Sequence, residues 1–177
     1  KNINLIIRNN KQGLDTAHKL AYNFAIKNNY HNLISMDADL SHDPEEIPEF
    51  LNQLKNYKFV IGSRYVKGGN CGMNGFRLLI SVLGNKLIKS LLNIDCNEFT
   101  TSYRGFNLTE LKNFNLNIVS SKGYSFFMET IYQIHRQKIQ IKEIPIFFRD
   151  RKMGSSKIPR IEIFRTLINL LKIKLFK

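Results

Sequence analysis

The stretch that most restricts how this chain can fold lies between residues 32 and 44. Asn32-Leu33-Ile34-Ser35-Met36 reads as a buried strand that runs straight into Asp37-Ala38-Asp39. Asp43-Pro44 then starts a helix, with proline at a first helical position and Glu45 and Glu46 in the first turn. A strand that ends in acids and hands over to a helix fits an open α/β sheet, where ligands bind beyond the carboxyl ends of the strands. Two carboxylates one residue apart at such a place can serve a hard divalent cation, which commonly takes one or two carboxylates plus phosphate oxygens. Such a cation would neutralise a departing diphosphate. Asp-x-Asp also occurs as a plain turn or cap, and the flanking strand and helix start favour the ligand reading over that one. His42, a lone histidine in the loop, reads as solvated or structural rather than as a ligand.

Strand and helix signals alternate along the chain, which predicts an α/β domain with a mostly parallel sheet flanked by helices. Leu14, Ala17, Ala21, Phe24 and Ala25 stand at helical spacing and predict a helix over 14–28. The helix that opens at Pro44 should reach about residue 55, and 59–63 is the next strand. A loop with Gly68, Gly69, Gly72 and Gly75 leads to an amphipathic helix over 76–92. Strands are predicted over 100–106 and 139–148, with a helix over 124–136 between them. Residues 2–7 read as an apolar strand with no leader before it, so the domain is expected to lack its first strand or strands here.

A chain of 177 residues with 43% hydrophobic content suits one domain with a sizeable core. Its formal net charge of +13 calls for a polyanionic partner: nucleic acid, an anionic membrane surface, or phosphorylated small molecules. Cys71 and Cys96 lack metal-ligand spacing and read as reduced thiols of a cytosolic protein. No secretory signal and no run of about 18 uncharged apolar residues is visible, so no bilayer-spanning segment is expected.

Met36-Asp37-Ala38-Asp39-Leu40-Ser41-His42, followed by Pro44, resembles the signature of the polyprenol (dolichol)-phosphate mannose synthases within glycosyltransferase family 2. Four more blocks resemble the family in order: Gly62-Ser63-Arg64-Tyr65, Thr101-Ser102-Tyr103-Arg104, the run from Lys122 to Glu129, and the run from Arg149 to Lys157. Together they cover nearly the whole chain. The resemblance implies a GT-A-type, Rossmann-like catalytic domain over 1–160. It also implies a nucleotide-sugar donor, GDP-mannose, a polyprenyl-phosphate acceptor, Mg²⁺ or Mn²⁺ as cofactor, and inversion at the anomeric carbon. In the family the second aspartate of the loop binds the metal and the first helps position the donor, which puts these roles on Asp39 and Asp37. Where some relatives have glutamine this chain has Ser41. The family's Pro-x-Tyr-Asn-Glu and Asp-Asp-x-Ser stretches are not in this sequence, and Gly13-Leu14-Asp15-Thr16-Ala17 resembles its Gly-Leu-Gly-x-Ala segment with aspartate in place of a glycine.

Arg64, Arg77, Arg149, Arg151 and Lys157 each follow a strand or adjoin a glycine-containing loop. Arginine's planar fork matches phosphate oxygens and lysine adds a point charge, so these five are the candidates for holding the acceptor phosphate, with Arg64 also counted as catalytic. A lipid phosphate is already anionic at neutral pH and needs no strong base to attack. Arg104 and Glu129 lie in family-like blocks and are expected to support the structure rather than the chemistry.

Over 161–177, Ile161, Phe164, Leu167, Ile168, Leu171 and Leu175 form one stripe, with Arg165, Asn169, Lys172 and Lys177 largely away from it. That pattern predicts an amphipathic helix, either packed on the domain or lying in an anionic membrane interface. A protein held peripherally on the cytoplasmic face, directly or through a membrane subunit, is the expectation. Two other readings stand beside it: transfer of a different sugar, such as glucose from a uridine diphosphate donor onto undecaprenyl phosphate, and a basic nucleic-acid-binding module. No nucleic-acid motif supports the latter, so nucleic acid is not an expected partner.

Overall fold

The computed structural model describes residues 3–149 and 160–176. Helix α1 (Leu14–Lys27) leads into β1 (Asn32–Ser35), and a 3₁₀ turn over Pro44–Glu46 runs into α2 (Ile47–Gln53). Then come β2 (Phe59–Ser63), the short β3 (Asn70–Cys71), α3 (Gly75–Leu92), β4 (Arg104–Asn107), α4 (Ser125–Arg136), β5 (Ile141–Pro145), the short β6 (Phe147–Phe148) and α5 (Arg160–Phe176). The main sheet has the order β1-β4-β2-β5, and β3 pairs with β6 in a second, two-stranded sheet.

The α/β class holds, with one change in the main sheet. β2 and β5 are parallel, while β4 runs antiparallel to both β1 and β2. Three strands therefore share a direction and the fourth is inserted between two of them against it. β2 is the buried centre, and its alternation divides the interior. Phe59 and Ile61 face a main core with α1, α3, α4 and α5, whereas Val60 faces a smaller one with Phe50 of α2 and Leu54 just past its end. Gly105 of β4, opposite Val60, permits this close approach: a Cβ there would lie 3.0 Å from Leu54 and 3.2 Å from Phe50. Nine of the first ten residues of α4 are buried, so this helix is the wall between sheet and α5.

Four boundaries differ from the sequence reading for identifiable reasons. Residues 3–8 form no strand, and Ile3, Leu5 and Ile7 are exposed; an apolar segment becomes a strand only where a neighbouring strand takes its hydrogen bonds. β4 starts at Arg104 rather than near 100, because side chains bond the preceding amides: Glu98 takes that of Thr100 and the Thr101 hydroxyl takes that of Tyr103. The strand expected over 139–148 breaks at Ile146, which donates its amide to Ser63 and accepts from Asn70, so the chain steps from β5 into β6. In the helix after Asp43, proline at 44 and 48 removes two amide donors, and the first turn is 3₁₀.

α5 lies against α4 and α3, burying Leu170 and Ile173 in the main core. The stripe read from the sequence points elsewhere: Phe164, Leu167, Ile168, Leu171 and Leu175 are all exposed.

Candidate active site

The acidic loop leaves the carboxyl end of β1 and is held from three sides. His42, only 1% exposed, sits under it and accepts the Asp37 amide proton at Nδ1, 3.0 Å away. That bond leaves the ring's proton on Nε2, which faces the Thr101 hydroxyl at 3.3 Å. Burial lowers the His42 pKa, against the opposing pull of Asp37 and Asp39, and keeps the ring neutral. His42 is thus structural, as expected, but buried rather than solvated.

Asp37 is half-buried, and one of its oxygens accepts the Ser102 hydroxyl at 2.7 Å. Ser102 is itself fixed, since its carbonyl takes the Ser35 hydroxyl at 2.7 Å. Asp39, also half-buried, accepts both the amide and the hydroxyl of Ser41 through Oδ1. This turn places Leu40 at φ 66°, a left-handed conformation that a leucine seldom adopts. Strain of that kind persists only where the surroundings over-determine it, and here His42, Ser102 and Ser41 do so together.

The third side comes from the end of β6. Arg149 donates its amide to the Ser41 carbonyl at 2.9 Å, and its guanidinium pairs with Asp43, the residue that also caps the 3₁₀ turn. The Phe148 ring lies 5.3 Å from His42 on one side and 5.4 Å from the Arg64 guanidinium on the other. Two of the predicted basic residues, Arg64 and Arg149, are therefore gathered at the loop. Arg77 is exposed in the first turn of α3, and Arg151 and Lys157 lie outside the described residues.

Arg64 is not a loose surface cation. Nε and Nη2 bond the two oxygens of Glu98 at 2.7 and 2.8 Å, and Nη2 also reaches the Thr100 hydroxyl at 2.8 Å. Burial works against its charge, but Glu98 more than offsets this and raises its pKa. Sequence reading passed over Glu98, and no local signal separates it from Asp95 three residues earlier, which is exposed. It also passed over His18, half-buried against Phe127 at 5.1 Å. Burial and the nearby Arg104 push the His18 pKa down to about 4 despite Asp37 and Asp15.

Arg104 and Glu129 are supports. Arg104 is 2% exposed and donates to three carbonyls, those of Thr101 (2.9 Å), Phe127 (2.9 Å) and Phe99 (3.2 Å). Glu129 takes the Ser121 amide at 2.7 Å. Asp15, standing where the family has glycine, is buried and accepts the Gly123 amide at 3.3 Å, tying α1 to the segment before α4.

Chemically, the loop offers hard carboxylate oxygens with cationic groups alongside. Among the described residues no three His, Cys, Asp or Glu side chains come together as a closed metal cage. Such a donor set suits a hard cation that completes its shell with phosphate oxygens and water, not a zinc-type site.

Comparison with known proteins agrees with this architecture. The profile of the family described as Glycosyl transferase family 2 matches residues 1–114. An undecaprenyl-phosphate mannosyltransferase of Micrococcus luteus is 30% identical over 169 residues, 95% of this chain and 70% of that protein. A polyprenol monophosphomannose synthase of Mycolicibacterium smegmatis is 32% identical over 158 residues, 88% of this chain and 60% of that protein. A braced acidic loop at the end of a sheet strand, in a chain matched over most of its length by sugar-transferring relatives, leads to one conclusion: this is a glycosyltransferase, and it belongs to glycosyl transferase family 2.

Proposed function

We propose that the protein transfers mannose from GDP-mannose to a polyprenyl phosphate, inverting the anomeric centre to give a β-linked lipid-phosphate sugar. The observation that carries this reading is the acidic loop, immobilised by His42 and Ser102 and flanked by Arg64 and Arg149. The two relatives named above, both called after mannosyl transfer to polyprenol-type lipids, support it.

In this reading Asp39 and Asp37 hold Mg²⁺ or Mn²⁺, which supplies charge neutralisation at the departing diphosphate. Ser102 and the loop turn fix where the carboxylates point, so little reorganisation is needed on binding. Arg64 and Arg149, with Arg77, Arg151 and Lys157, receive the acceptor phosphate and align it with the sugar carbon. No side chain is asked to remove a proton, because the attacking phosphate oxygen is already anionic. With polyprenyl phosphate present, label from GDP-mannose should enter lipid while label from UDP-glucose should not. A preference for the uridine donor, or an α-linked product by NMR, would replace this reading.

A membrane surface is the proposed place of work. No helix among the described residues is long and apolar enough to cross a bilayer. Two neighbouring helices nonetheless turn apolar side chains outward: Phe76, Leu79, Leu83 and Leu87 on α3, beside Phe164, Leu171 and Leu175 on α5. Arg77, Lys86, Arg165 and Lys172 punctuate them, matching an anionic interface. Changing Leu83 and Leu171 together to Gln should weaken binding to anionic vesicles roughly 100-fold, at about 1.5 kcal/mol for each apolar side chain withdrawn from lipid. Unchanged flotation with vesicles would remove the surface from the proposal.

A further inference from the structure

We propose that Glu98 sets the working geometry of Arg64, making it a positioning residue for the acceptor phosphate; this rests on the acceptor role proposed for Arg64 above. Glu98 is fully buried, at 0% exposure, and sits outside every block that carries the family resemblance. Its two oxygens grip one edge of the guanidinium, Nε and Nη2. Glu98 cannot swing away, because Oε1 also takes the Thr100 amide at 3.0 Å and its hydroxyl at 2.8 Å. Tyr65 and Phe148 lie against the guanidinium, 4.9 and 5.4 Å from its carbon.

One nitrogen is left over. Among the described residues nothing bonds Nη1, while Nε and Nη2 are saturated by Glu98 and Thr100. The clamp thereby turns a five-donor fork into a one-sided donor with a fixed direction. The pair is neutral overall, so what Arg64 offers an incoming phosphate monoester is aim rather than bulk charge. Lysine at 64 can satisfy Glu98 but has no second edge to present.

A double-mutant cycle on the full chain tests this, with KM for polyprenyl phosphate and for the nucleotide sugar measured separately and thermal melting recorded for each variant. Glu98→Gln should raise the acceptor KM about tenfold, equivalent to about 1.4 kcal/mol, with the donor KM within about twofold of the parent. In an Arg64→Lys background the same change should add nothing to the acceptor KM. An unchanged acceptor KM in Glu98→Gln, a matching rise in donor KM, or a full additional effect in the Arg64→Lys background would each overturn the inference. A purely structural Glu98 would lower Tm and active fraction, and so kcat, without moving KM. Should Glu98→Gln lose its cooperative melting, Glu98→Asp, which keeps the charge but is a methylene too short for the same grip, carries the measurement. Arg64→Lys alone is the separate check on the underlying reading: an acceptor KM that it leaves untouched removes the acceptor role from Arg64 itself.

Discussion

Asp39→Asn is expected to lower sugar transfer by at least about 10²–10³-fold, the scale on which removing one preorganised electrostatic partner acts. The substitution is isosteric, and the amide can be turned so that its oxygen still accepts the Ser41 amide, so the loop should keep its shape. What goes is the negative charge at the turn. The loss should therefore appear in kcat with little change in Tm, and titration calorimetry with Mn²⁺ and a guanosine diphosphate should lose its metal-dependent heat. Asp37→Asn should be milder in metal binding, because one Asp37 oxygen is already engaged by Ser102. Full turnover in Asp39→Asn would end the assignment of this loop to the departing diphosphate.

Arg104→Met is expected to be the most destabilising single change, by about 4 kcal/mol or more. Methionine approximates the aliphatic stem but leaves the carbonyls of Phe99 and Thr101 without their donor and that of Phe127 with only its helical bond within α4, and each buried acceptor left unsatisfied costs roughly 1–3 kcal/mol. Against a total stability of about 5–15 kcal/mol for a domain of ordinary stability, that removes roughly a quarter to four-fifths of what holds the fold together. The urea midpoint measures it. Arg104→Lys should recover only part of the loss: an ammonium cannot span three carbonyls as the planar fork does, and burial already pulls the arginine down to about 9. A midpoint unchanged in Arg104→Met would mean that water replaces the lost donors.

The helices are the most legible part of the fold, because their apolar periodicity and the Asp43-Pro44 start are local signals. The strand after Cys96 is not, since side-chain bonds from Glu98 and Thr101 decide where β4 begins, and partners of that kind are invisible in a linear pattern. The antiparallel insertion of β4 was missed for a related reason: alternating strands and helices favour parallel crossovers, and the loop-rich stretch from 108 to 124 gives the chain another way back.

Within the site, the acidic loop could be found because two aspartates at the end of an apolar strand are unusual, and Arg149 because it follows a strand. The bracing was hidden. In sequence His42 is a loop histidine, and only the fold buries it beneath the loop; Arg64 reads as an independent phosphate ligand, and only the fold places Glu98 on one edge of it. Sequence spacing gives the donor and acceptor types a residue carries, whereas which of them are already occupied depends on neighbours 34 to 65 positions away.

The seat of α5 bears on how the protein can be handled. Leu170 and Ile173 are 1% and 2% exposed within the main core, so the helix whose outer side is apolar is also part of the interior. A version trimmed at residue 159 to make it easier to keep in solution would open the floor beneath α4 and present fresh oily surface, trading one source of stickiness for a worse one.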